Sequence, residues 1–193
     1  MRKTVFLLLG LAVSAGLLAA GPAAANEPGY PPSAQPVLIS NASTGFYLQT
    51  DNQNEQRPQG VQVWWPWPLA NGGSGAIWRL EHVYGEHYVI ETEPIDDPSP
   101  ACLTVPDGAK NNVPLTVTDC DGGAAQDWIV REDGTSETYT ITPAAVNFRQ
   151  WAITSQSQNY GAADVYVTLK HFTGTNAPTE MRWKIDATTV PAT

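Results

Sequence analysis

Beyond residue 36 the chain is a succession of short runs in which apolar and polar positions alternate, each bounded by glycine, proline, asparagine or aspartate. Period-two alternation is the mark of a strand that buries one of its faces. Such runs fall near Val37–Ser40, Phe46–Thr50, Val61–Trp65 and Ala76–Leu80. Others fall near His87–Thr92, Ala101–Val105, Pro114–Thr118 and Asp127–Arg131. A last set falls near Glu137–Thr142, Arg149–Ser155, Asp164–Leu169 and Met181–Ile185. Valine, isoleucine, threonine, tyrosine and tryptophan dominate them, and these side chains suit a pleated, half-buried surface. No stretch sustains helical periodicity over three turns. The pattern predicts an all-β chain.

A tryptophan closes each set of four. Trp78-Arg79-Leu80, Trp128-Ile129-Val130 and Trp183-Lys184-Ile185 share one plan, at intervals of 50 and 55 residues. A large aromatic returning at a near-constant interval marks a repeated structural unit. Each tryptophan can bury about 150–250 Å², so three converging would supply much of one core. Three matching groups, about 37–80, 87–131 and 137–185, are the strand plan of a β-trefoil, a six-stranded barrel capped by three hairpins. An open sandwich also holds a dozen short strands, but it gives no reason for three corresponding groups.

Composition changes the picture first at the N-terminus. Met1-Arg2-Lys3 is basic, Val5 to Ala20 is apolar apart from Ser14 and two glycines, and Ala23-Ala24-Ala25 offers a small-residue cleavage site. That order predicts a signal peptide over residues 1–25 and an extracellular mature chain. The apolar stretch is short for a membrane span, and no second one follows it. Residues 26–36, rich in proline, glycine and serine, read as a flexible lead-in to a single domain over 37–186. The 193 residues, 42% of them hydrophobic, suffice for one such domain.

Charge then narrows the partners. The net charge of -9 becomes -11 once Arg2 and Lys3 leave with the signal peptide. A phosphate backbone would repel such a chain, so nucleic acid is not an expected partner. The one dense acidic run, Glu91-Thr92-Glu93-Pro94-Ile95-Asp96-Asp97, reads as a solvated loop. Cys102 and Cys120 are the only cysteines. After export, at the ends of paired strands, they favour a disulfide over a catalytic thiol, which would need a histidine alongside.

Catalysis and metal binding find little support. His82, His87 and His171 are the three histidines, and no third ligand accompanies the first two. The stretch Gly72 to Ala76 lacks the last glycine of a nucleophile elbow and precedes a strand. Asp119-Cys120-Asp121-Gly122 lacks the later ligands of a calcium loop. Glu91, Glu93, Asp96 and Asp97 could supply a carboxylate pair for glycoside hydrolysis, with nothing to mark them as buried. No catalytic residue, metal or cofactor is expected. Asn41-Ala42-Ser43 matches an N-glycosylation acceptor.

Several stretches resemble the ricin B-type lectins, the family of Gln-x-Trp repeats. Cys102-Leu103-Thr104-Val105 resembles their Cys-Leu-Asp-Val strand, and Leu115 to Cys120 resembles its partner strand ending in cysteine. Gln126-Asp127-Trp128 is similar to their Gln-x-Trp closure. The first repeat adds Thr44 to Leu48 and Val61 to Trp64, and the third adds Val165 to Val167 and Arg182-Trp183. The resemblance implies a trefoil over about residues 36–186 and a shallow sugar pocket repeated up to three times. Each pocket uses a carboxylate or amide for hydroxyls, an aromatic ring for the apolar sugar face, and a second amide before the Gln-x-Trp. Planar polar groups suit adjacent hydroxyls and aromatic faces suit clustered C–H groups.

Carried over by position, the second repeat holds Thr104, Thr118 and Ala125, leaving Gln126 alone. The third holds Ile153, Thr168 and Glu180, with Met181 in place of the glutamine. Only the first keeps a usable set: Gln49, Gln62 and Trp64, although Gly75 and Ala76 replace the closing amide and glutamine. Beside it runs Trp64-Trp65-Pro66-Trp67-Pro68, where consecutive strand residues must face opposite ways. Packing over the cap, a sugar-stacking platform and a protein-binding patch are the three readings open there. The expectation is a secreted, monomeric, non-catalytic module binding carbohydrate weakly through the first repeat. The alternative is a trefoil whose loops bind or inhibit another protein.

Overall fold

The computed structural model describes residues 30–50, 59–64, 74–92, 99–106, 111–133, 137–145, 150–155 and 166–188. Twelve strands occur among them. The first repeat contributes β1 (Pro36–Asn41), β2 (Tyr47–Thr50), β3 (Gln59–Trp64) and β4 (Ile77–Tyr84). The second contributes β5 (His87–Thr92), β6 (Ala101–Thr104), β7 (Thr116–Asp119) and β8 (Trp128–Glu132). The third contributes β9 (Tyr139–Pro143), β10 (Trp151–Ser155), β11 (Val167–His171) and β12 (Trp183–Ala187).

Strands β1, β4, β5, β8, β9 and β12 pair in that order, and β12 returns to β1. Closure leaves this ring no open edge. The remaining strands form the hairpins β2–β3, β6–β7 and β10–β11. The hairpins meet through Gly60 opposite Thr116, Gln62 opposite Tyr166 and Pro114 opposite Thr168. A closed barrel under a cap of three hairpins is a β-trefoil.

The tryptophans explain why the units repeat. Trp78, Trp128 and Trp183 are all fully buried. Their indole Nε1–H groups donate to the carbonyls of Leu48, Leu103 and Ile153 at 2.8, 2.8 and 3.1 Å. A buried indole needs such an acceptor. The same bond in each unit pins the start of the fourth strand to the second and makes Leu48, Leu103 and Ile153 equivalent positions. A one-turn 3-10 segment precedes each tryptophan: Ser74–Ala76, Ala124–Gln126 and Thr179–Met181. Sequence alternation had started the fourth strands at Ala76, Asp127 and Met181. The turn delays them to Ile77, Trp128 and Trp183.

Two further features depart from the sequence reading. Of the lead-in, residues 30–35 are described, and Pro31 and Pro32 are buried. The Ala34 N–H donates to the Leu80 carbonyl at 3.0 Å, and the Tyr139 hydroxyl donates to the Tyr30 carbonyl at 3.4 Å. This stretch is packed against the barrel. Burial first, then Tyr30, Tyr139 and Glu86, pushes the Tyr88 phenol up to about 12, so its ring enters the core as a neutral group. Asn41, the glycosylation candidate, is fully buried. Its Nδ2 donates to the Glu180 carbonyl at 2.9 Å, and its Oδ1 accepts from the Ser43 and Thr44 N–H groups. A glycan on that nitrogen is incompatible with this packing.

No helix among the described residues is long and apolar enough to cross a membrane.

Candidate functional site

Each repeat presents the same frame on its outside. The hairpin's outward face lies beside the 3-10 turn, because the tryptophan bond fixes one to the other. Residues following the accepting carbonyl therefore face out in all three units: Gln49, Thr104 and Thr154. Their directly opposed partners are Gln62, Thr116 and Thr168. The residue two places before each tryptophan closes the frame: Ala76, Gln126 and Met181. What differs is how each frame is filled.

In the first repeat Tyr47 pairs with Trp64 and Gln49 with Gln62. Directly opposed residues share a face, and residues two apart in a strand share it too. Gln49 and Gln62 thus share the outward face with Tyr47, while Leu48 and Val61 are buried in the core. Gln62 Oε1 is buried with no hydrogen-bond partner among the described residues. Such an acceptor costs about 1–3 kcal/mol unless something donates to it. A sugar hydroxyl is a donor of the right kind. Gly75 packs closely on the end of β2, where a Cβ would lie 2.7 Å from Thr50 Oγ1. The backbone of Trp64 is described but its side chain is not, and Trp65, Pro66, Trp67, Pro68 and Gly72 to Gly73 lie outside the described residues.

The second repeat is saturated from within. Gln126 Nε2 donates to the Asp119 carbonyl at 2.8 Å and to Thr118 and Thr104 Oγ1 at 3.0 and 3.3 Å. Its Oε1 accepts from the Asp121 and Gly122 N–H groups. The hydroxyls of Thr104 and Thr118 lie 2.8 Å apart. With the side chain at 1% exposure, the amide is a structural fastener. The disulfide Cys102–Cys120 forms as expected and ties the base of this hairpin. Glu91, Cys102 and Cys120 approach one another closely, but both sulfurs are bonded and cannot hold a metal.

Corrections fall in the third repeat. Ile153 was assigned the polar position, but it is fully buried and its carbonyl takes the Trp183 bond. It therefore corresponds to Leu48, and the outward position is Thr154. Likewise the aromatic position is Lys170, which pairs with Ala152 as Trp64 pairs with Tyr47, and Thr168 corresponds to Gln62. A slip of one residue exchanges the two faces of a strand. This face is closed by apolar packing of Met181, Ala152 and Ala177 with Phe172 against them. The Thr154 hydroxyl donates to the Glu180 carbonyl at 3.2 Å.

The histidines are dispersed. His87 Nδ1 lies 2.9 and 3.0 Å from the two Asp127 carboxylate oxygens, and its ring stacks on Tyr84. His82 Nε2 faces the Gly85 carbonyl, and His171 meets Gln150 and Trp151. Glu93, Asp96 and Asp97 lie outside the described residues.

Solved structures share this architecture. The designed threefold-symmetric protein ThreeFoil superposes with a TM-score of 0.65 at 14% identity, over 79% of this chain and 99% of that one. The Rhizoctonia solani agglutinin gives 0.60 at 16% identity, over 85% and 99%. The Polyporus squamosus lectin, solved bound to the epitope Neu5Aca2-6Galb1-4GlcNAc, gives 0.59 at 16% identity, over 80% of this chain and 49% of that one. The chain is a β-trefoil. No family model and no curated protein matches it. At these identities the likeness is one of fold, and the face of the first repeat must carry the functional argument.

The sequence reading missed Tyr166. It stands directly across from Gln62 and is 40% exposed. Its interval from Gln62 carries no signal, because the two belong to different repeats.

Proposed function

We propose that the chain is a secreted, extracellular, non-catalytic carbohydrate-binding module whose site is the outer face of the first repeat. Trp64 stacks on the apolar face of a sugar, and Gln49 and Gln62 bond its hydroxyls. The observation that carries this reading is the pairing of Gln49 with Gln62, whose Oε1 has no hydrogen-bond partner among the described residues, in a repeat where alanine replaces the closing glutamine. The lectin and agglutinin among the similar structures support the ligand class, and the disulfide supports an oxidising compartment. The chain acts as a monomer, without nucleic acid or cofactor. Open pockets with few hydroxyl contacts bind weakly, and a single site gains nothing from multivalency.

The test is a glycan array probed with the purified chain and with Trp64→Ala. Binding that Trp64→Ala abolishes supports the site. An empty array, or binding that the substitution leaves unchanged, sinks it.

A second reading, in which loops engage another protein, draws on Val83 and Tyr84. These are 54% and 59% exposed at the β4–β5 turn, and exposed large apolar side chains can mark a partner surface. Its test is recovery from culture medium: a partner lost with Tyr84→Ser supports it, and recovery of the chain alone counts against it.

A further inference from the structure

We infer that the site crosses the boundary between the first and third repeats and takes an oligosaccharide of at least two units, with Tyr166 as its second stacking ring. The inference rests on reading the first-repeat face as a sugar site.

The hairpin contacts of the cap lead to it. Gln62 pairs with Gln49 on one side and with Tyr166 on the other. Tyr166 immediately precedes β11, so three neighbouring strands place Gln49, Gln62 and Tyr166 in one row. Directly opposed residues of antiparallel strands point to the same face. The row is two strand spacings wide, about 10 Å, which exceeds a single pyranose ring. Gln62, in the middle, carries a buried acceptor that has no partner among the described residues.

Tyr166 differs in place from the other exposed large apolar side chains. Tyr30 lies in the lead-in, and Val83 and Tyr84 lie at the β4–β5 turn. Tyr166 alone among the described residues adds an exposed aromatic to the cap. It has no sugar frame in its own repeat to serve, because Met181, Ala152, Ala177 and Phe172 close that face. The equivalent positions in the other hairpin contacts are Gly60 and Pro114, neither of which offers a ring. The row therefore occurs once. One sugar ring spans Gln49 and Gln62 beside Trp64. The next lies over Tyr166, whose flat apolar face suits clustered C–H groups.

The experiment is calorimetric titration of the chain with glucose, galactose and mannose series, each from monosaccharide to tetrasaccharide. Affinity should rise between the monosaccharide and the di- or trisaccharide of the series that binds. Tyr166→Ala should remove that rise, a loss of about three- to tenfold for one aromatic contact, and leave the monosaccharide within about twofold. Tyr166→Phe should retain most of the rise, and an unchanged unfolding temperature excludes misfolding as the cause. Monosaccharide binding that responds to Trp64→Ala but shows no dependence on chain length overturns the strip and spares the first-repeat site. Equal losses for short and long sugars in Tyr166→Ala also overturn it. Absence of binding across all three series removes the strip together with the reading beneath it.

Discussion

The outer faces of the first and second hairpins share one frame and have opposite contents. In the second, Gln126 and two threonine hydroxyls use their hydrogen-bonding capacity on one another and on the backbone. In the first, alanine stands in place of that glutamine, two amides lie directly opposite each other, and one buried oxygen has no donor among the described residues. The Gln-x-Trp motif, so visible in sequence, marks the face that has spent its polar groups on stability. The face proposed to bind sugar lacks the motif. The fold signature and the proposed site therefore sit in different repeats.

Beneath both faces the core is nearly threefold, and the largest effects should show it. Trp78→Ala, Trp128→Ala and Trp183→Ala should each cost about 3–5 kcal/mol in denaturant unfolding, with values close to one another. A much cheaper Trp78→Ala would break the view that only the exteriors differ.

Opening the disulfide comes next. The double substitution Cys102→Ala with Cys120→Ala should cost about 3 kcal/mol, the chain-entropy value for a loop of this size, and leave glycan affinity unchanged. A loss of affinity would place the ligand on the second face.

The sharpest contrast is also the smallest in energy. Gln126→Leu removes five hydrogen bonds to half-buried and exposed groups and should cost about 2 kcal/mol. Gln62→Leu removes a buried acceptor that has no partner among the described residues and should raise stability by about 1 kcal/mol, while abolishing sugar binding. Equal costs for the two would show that Gln62 is another internal fastener.

Much of this was legible beforehand. Twelve strands in three sets, the tryptophan pins and the Cys102–Cys120 bridge follow from local alternation, a repeated aromatic and an exported cysteine pair. β5 falls where alternation placed it, at His87–Thr92. β4 runs on to Tyr84, because its pairing with β5 continues past a bulge between His82 and Tyr84. The errors are those of register. Motif spacing put Ile153 on the outside, and only the Trp183 bond to its carbonyl shows that the pattern had slipped by one residue.

The sequence by itself determined the three-unit barrel, because strand alternation and a recurring indole are local signals that many residues repeat. It also named Gln49, Gln62 and Trp64 as the residues to watch. Only the tertiary structure decided how each face is filled. Whether Gln126 is spent, whether Met181 closes its frame, and whether Tyr166 joins Gln62 all depend on contacts between distant stretches of chain. Cap geometry sets those contacts, and no spacing along one strand records them.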